Sequence, residues 1–185
     1  MQKKNERIAF DGKKYRVYQW DQELYNGEWS VFERVEHKPS ATVFAVHQGK
    51  IVIQKQMQPH YITEVLCVPG GGLEWDEDPL AGAQRELLEE EGMESTDWHL
   101  WMMGGHEREN SKWKNFIFIA KDCKKTCEPR PDGGEKIEHL LYSFEDFLHL
   151  LDDRRFRHKD LLPVLREIRD NKEKQQTFRN LLGIC

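Results

Sequence analysis

Residues 71–93, GGLEWDEDPLAGAQRELLEEEGM, limit what this chain can fold into more than any other segment. A glycine-led loop runs into a helix whose start and stop are both legible. Asp78 can accept from the orphan amides of a first turn, Pro79 sits where its missing N–H costs little, and Gly92 can close the last turn. At about 100° per residue, Glu86, Glu89 and Glu90 share one sector, whereas Leu80, Ala83 and Leu87 point into a neighbouring sector that can face a core. The carboxylates crowd the C-terminal end of the helix, where the dipole is already negative. Like charges at i,i+3 and i,i+4 there repel by a few tenths of a kcal/mol each. A solvated acidic patch would not need Gly71, Glu77 and Arg85 at fixed offsets. A hard cation resolves the conflict, because Mg²⁺ takes one or two carboxylates together with substrate phosphate oxygens. The segment therefore reads as a divalent-cation site on the helix face that Glu86, Glu89 and Glu90 share.

The spacing G-x5-E-x7-R-E-apolar-x-E-E-x-G-apolar matches the signature of the Nudix hydrolases at every defining position, strictly over these 23 residues. From this resemblance, Gly70, Gly71 and Gly72 shape the loop, Arg85 orients a glutamate by a salt bridge, and Glu86, Glu89 and Glu90 hold Mg²⁺ or Mn²⁺. Glu77 falls to a supporting role. The resemblance implies an α/β protein, a Nudix-type α/β/α sandwich with a mixed β-sheet. It also implies hydrolysis of a nucleoside diphosphate linked to another moiety. Metal-held glutamates suit that chemistry, since cations neutralise the diphosphate and lower the pKa of the attacking water.

Two further segments are similar to the ADP-ribose and nucleotide-sugar branch: FERVEHKPSATVFAV (32–46) and QKQMQP (54–59). Lys55, Met57 and Gln58 depart from the charged or aromatic residues usual in that branch. Glu107, Arg108 and Glu109 stand where it has a proline. The resemblance implies a glutamate general base on a loop after the box, which Glu135 fits, with Glu138 as the alternative. Trp20, Trp29, Phe32 and Trp101 are candidates to stack on a base. Lys55, Arg34 and Arg108 are candidates to meet phosphate or ribose, alongside Gly71 and Gly72. The alternatives are a nucleoside triphosphate or RNA-end pyrophosphohydrolase, and a nucleotide-binding regulator that does not cut. An intact box disfavours the last.

At 185 residues, 38% apolar and 33% charged, the chain suits a single domain, 1–185, with a densely charged surface. A net charge of −5 and a pI near 5.9 weigh against nucleic acid as a partner and favour a small anionic nucleotide. No apolar run approaches the ~20 residues that span a bilayer, and MQKKNERIAF lacks the apolar stretch of a secretory signal, so a cytoplasmic location is expected. Cys67, Cys123, Cys127 and Cys185 are then expected to be reduced. Cys123 and Cys127 could join His106 or His139 in a zinc site, but a second close ligand pair is missing. By analogy with the ADP-ribose branch, residues 1–40 form an N-terminal strand extension that joins a homodimer.

Strands are predicted over 15–20 and 29–36 around an Asn26-Gly27 turn, over 41–46 and 51–56 as a hairpin, and over 62–68. Further strands are predicted over 98–103, 116–120 and 137–142. Residues 121–135 read as one long polar loop. Ser143 is placed to cap a helix to about Leu151, with Phe144, Phe147, Leu148 and Leu151 as its apolar stripe. A last helix is predicted from about Asp160 to Arg169, running out into polar, fraying residues.

Overall fold

The computed structural model describes residues 1–59, 61–131 and 134–184. β1 (Lys3–Asp11), β2 (Tyr15–Glu23) and β3 (Trp29–His37) form an antiparallel meander. β4 (Ser40–His47) and β5 (Lys50–Met57) follow as a hairpin. Gln48 and Gly49 both have positive φ, 51° and 71°, as a tight two-residue hairpin turn requires. After β6 (Val65–Cys67) come α1 (Pro79–Glu91), β7 (Met93–Glu94), β8 (Asp97–Glu107), β9 (Ser111–Lys121), β10 (Lys124–Lys125) and β11 (Lys136–Tyr142). The chain ends in α2 (Phe144–Leu150), α3 (Leu162–Arg169) and α4 (Lys172–Leu182).

The main sheet runs β1-β2-β3-β9-β4-β5-β11, with β6 on β5 and β8 on β9. β9 lies parallel to β3 and β4, so the sheet is mixed. Alternation along the central strands sorts the core into two layers. Phe44, Val46, Ile51, Ile53, Ile117 and Ile119 pack against Phe147, Leu165 and Phe178 of the three C-terminal helices. Val43, Ala45, Val52, Phe118 and Ala120 pack against Ala83 and Leu87 of α1. This is the expected α/β/α sandwich, with the acidic helix alone on one face.

Several expectations are corrected. β1 was not predicted, because all nine of its residues are exposed and no alternation marks it. The predicted strand over 62–68 shrinks to Val65–Cys67, and Ile62 is 98% exposed. The polar stretch 121–135 contains β10, which pairs with β7. Leu80 stands at the rim, 36% exposed, leaving Ala83 and Leu87 to carry the buried face of α1. The polar C-terminus does not fray: Asn171 accepts from the Lys174 amide, and α4 buries Phe178 and Leu182. Among the described residues no helix is long and apolar enough to cross a membrane.

Candidate active site

Helix α1 starts where the sequence sets it. Asp78 Oδ1 accepts from the amides of Leu80 and Ala81 at 3.1 and 2.9 Å, and Gly92 ends the helix at φ 65°. The preceding glycine loop is sewn to β4: the amides of Val43 and Ala41 donate to Pro69 and Gly71 carbonyls at 2.8 and 2.9 Å, and that of Leu73 donates to Pro39 at 2.8 Å. This brings the loop directly onto the acidic face of α1. A Cβ on Gly71 would lie 2.4 Å from Glu86 Oε2, and one on Gly70, at φ 139°, would lie 2.2 Å from the Ala41 carbonyl oxygen. The glycines are therefore a steric condition for bringing backbone and carboxylates together.

Glu90 is buried, and its Oε2 accepts from the Gly70 amide at 3.0 Å and from Gln54 Nε2 at 2.9 Å. Burial pushes its pKa up to about 8 in spite of those donors. Burial also raises Glu86, against the pull of Arg85. Glu89 is more open, with 48% of its side chain exposed. Arg85 ties the box together. Its guanidinium reaches Glu77 at 2.9 and 3.1 Å, Glu86 at 2.8 Å, Glu89 at 2.9 Å and the Gly72 carbonyl at 3.3 Å. The hydrogen bond from Arg85 holds Glu77 below the usual carboxylate range.

The expected three-glutamate cage is not assembled in this conformation. Among the described residues no three His, Cys, Asp or Glu side chains converge as a metal site, and the Arg85 cation bridges Glu86 and Glu89. The donor set still fits a hard divalent ion. Two of the carboxylates are held above their ordinary pKa by burial, and Glu89 is exposed enough to turn toward them. The zinc alternative does not form either. Cys123 is buried against the Ala120 carbonyl, Cys127 is exposed, and His106 and His139 are engaged by Ser111 and Glu91. Cys67, Cys123 and Cys127 are all free thiols.

Glu135 comes to the box: Gln58 Nε2 donates to it at 2.5 Å, and its charge helps raise both Glu86 and Glu90. Strand register removes Glu138 and Lys55. They pair across β11 and β5 and meet at 2.9 Å, whereas Gln54, one residue before Lys55, faces Glu90. Lys55 is also 3.6 Å from Glu64, so it serves a cross-strand cluster on the face away from α1. Arg34 lies in the N-terminal meander over Tyr18, 3.9 Å from Glu6, and Arg108 sits in the β8–β9 turn.

The candidate stacking aromatics all have packing partners of their own, as does Trp75 of the box, which lies under Arg16. Trp20 lies under Lys3 and beside Phe32, Trp29 lies under Lys4, and Trp101 packs on Phe44 and Phe178. A cavity of about 220 Å³ beside the box is lined instead by His37, Leu73, Trp75, Glu77, Trp113 and Lys114, among others. Trp75 was readable as a candidate from its place inside the box. Trp113 carried no comparable signal.

The NUDIX domain family model matches residues 36–165, and the chain belongs to the Nudix family. It is 32% identical over 151 residues to the ADP-ribose pyrophosphatase of Bacillus subtilis (strain 168), covering 78% of this chain and 80% of that protein. It is 38% identical over 154 residues to the methanol dehydrogenase activator of Bacillus methanolicus, covering 82% and 83%. A crystal structure of an ADP compounds hydrolase has the same fold, with a TM-score of 0.70 over 94% of this chain and 95% of that one, at 18% identity. Within the family the chain is a Nudix pyrophosphohydrolase with a likeness to the ADP-ribose branch. Nudix hydrolases generally use divalent metal ions and act on small nucleotide substrates.

Proposed function

We propose that this chain hydrolyses the diphosphate linkage of ADP-ribose or a closely related nucleotide sugar, with Glu86, Glu89 and Glu90 holding Mg²⁺, or Mn²⁺ in its place. The observation that carries this reading is Glu90. A carboxylate buried beside Glu86, oriented by a backbone amide and a side-chain amide, is costly as an anion unless a cation meets it. When bound, the ion neutralises the diphosphate and lowers the pKa of the attacking water. Arg85 holds the glutamates in reach of the loop. Glu135, on the segment after the box, orients the water and takes its proton. The amides of Gly71 and Gly72 approach the diphosphate, since neither residue has a side chain to block it. Trp75 and Trp113 give the base a flat partner in the neighbouring cavity, and Lys114 adds positive charge at its wall. The 32% identity to an ADP-ribose pyrophosphatase supports this substrate class.

The test is release of AMP or phosphate from ADP-ribose, ADP-sugars, dinucleotide polyphosphates, nucleoside triphosphates and triphosphorylated RNA, with Mg²⁺ or Mn²⁺. We expect AMP from ADP-ribose or an ADP-sugar at the highest kcat/KM. A preference for triphosphates or RNA ends would replace the substrate assignment, and no cleavage anywhere in the panel would leave a nucleotide-binding regulator.

A further inference from the structure

Glu91 occupies a position that the Nudix signature leaves open, yet it is the most deeply buried acid described on α1, at 1% exposure. An uncompensated carboxylate there would cost several kcal/mol. It is compensated by two side chains from neighbouring strands. Gln54 Nε2 donates to Glu91 Oε1 at 2.8 Å, and His139 Nδ1 lies 2.8 Å from Glu91 Oε2. Gln54 and His139 are directly paired residues of β5 and β11, so the sheet presents them to the helix together.

The same Gln54 nitrogen donates its second hydrogen to Glu90 Oε2 at 2.9 Å, while Gln54 Oε1 accepts from the Cys67 thiol at 3.5 Å. A primary amide has two N–H donors, and both are committed to carboxylates. Flipping the amide would aim its oxygen at two acids, so the orientation is fixed by its surroundings. His139, with 39% of its side chain exposed, closes the chain at the sheet surface, and Glu90 closes it at the site.

We propose that Gln54 and Glu91, anchored by His139, are positioning residues for Glu90 that set how tightly the box holds its divalent ion. The inference rests on the reading of Glu90 as a metal ligand. Gln54 fixes one oxygen of Glu90, which leaves the other directed by the amide geometry. Glu91 keeps the Gln54 amide from rotating, and His139 keeps Glu91 in place. Removing such an outer partner of a metal ligand typically weakens metal affinity or activity about 10–100-fold.

The experiment uses the full chain and reads Mn²⁺ binding directly, by electron paramagnetic resonance of the unbound ion, beside kcat and KM for ADP-ribose against Mg²⁺ concentration. Gln54→Met keeps the length and removes both donors. We expect its Mn²⁺ dissociation constant and half-activating Mg²⁺ concentration to rise about 10-fold or more. KM at saturating Mg²⁺ should move by less than about 2-fold, because Gln54 touches no substrate group. His139→Ala should shift both metal readouts in the same direction, and His139→Gln, which retains a donor, should recover most of the loss. His139 is partly exposed, so its variants decide the matter if Gln54→Met does not fold. Mn²⁺ binding within 2-fold of the parent in folded Gln54→Met, or in His139→Ala where Gln54→Met is unfolded, would overturn the proposal. If the parent chain itself binds no Mn²⁺, or Glu90→Gln binds it equally well, the metal reading fails instead.

Discussion

Replacing Glu90 by Gln should raise stability and abolish turnover in the same protein, and pH separates the two effects. Glu90 goes from an ordinary value of 4.5 to about 8 in the fold, chiefly by burial. Below pH 4.5 the group is protonated whether the chain is folded or not, and it costs nothing. As pH rises from about 5 to about 8 the unfolded chain ionises while the folded chain keeps its proton, so native stability is lost across that window. The full handicap above pH 8 is about 5 kcal/mol as an upper bound. Gln removes the titration and can set its amide oxygen where Oε2 stood, but its NH2 group must then be buried in place of the other oxygen, so we expect a net gain of about 2 kcal/mol at pH 8, below that bound. For a chain of this size that is about 4–8 °C in melting temperature. The assay is thermal or urea denaturation in EDTA at several pH values, repeated with Mg²⁺. The parent should lose stability relative to Glu90→Gln between pH 5 and 8, and should regain about 2.7 kcal/mol with the ion at 100 times its Kd, a gain absent from the variant. Turnover of the variant should fall by more than the ~100-fold typical of residues that merely orient a metal ligand. Parallel stability curves across pH, or an equal response to Mg²⁺, would refute the claim that Glu90 is a buried acid awaiting a cation.

Gly71→Ala should cut turnover sharply and raise KM as well, since the new methyl meets the Glu86 carboxylate 2.4 Å away and must displace it while crowding the diphosphate; steady-state kinetics reads both. Trp75→Ala should raise KM for an adenine nucleotide by about 10-fold, from a stacking contribution of ~0.5–1.5 kcal/mol and lost apolar contact, with kcat held. Phe178→Ala should cost about 3–5 kcal/mol in denaturant unfolding, because α4 is packed into the core rather than frayed. The exposed apolar side chains Phe10 and Val31, which the register places on one face of the N-terminal meander, should be covered in a homodimer; light scattering should give twice the chain mass, and Phe10→Asp with Val31→Asp should give the monomer.

The helix and its loop were legible because their signals are local. Asp78, Pro79 and Gly92 act within a turn of where they stand, and the hairpin at Gln48-Gly49 declares itself through Gly49, which takes positive φ without strain. The central strands were legible because runs such as 43–46, 51–53 and 116–120 are apolar and largely buried on both faces. β1 was hidden for the opposite reason: an edge strand exposed along its whole length has no burial to leave a pattern. α4 was misread because its first residues, KEKQQ, are polar and mostly solvent-facing, while its core contacts, Phe178, Leu181 and Leu182, come only in its second half. Site residues divided along the same line. Those on α1 follow helical period, whereas Lys55 and Glu138 failed through a register that no single strand encodes.

That register also explains how the site is held together. A one-residue slip of β11 against β5 would swap the two faces, putting Glu138 opposite Gln54 and carrying His139 away from Glu91. The buried acid of α1 would then lose one of its two partners and face another acid across the sheet, a change costing several kcal/mol. Glu91 thus selects the pairing that also presents Gln54 to Glu90. Arg85 acts in parallel from the opposite side, gathering Glu77, Glu86 and Glu89 onto one guanidinium. The box is therefore held by two independent polar clamps, one helical and one from the sheet. Loosening the sheet clamp should weaken the ion while leaving Arg85 and its glutamates in register, and loosening Arg85 should disorder the loop and the helix end together.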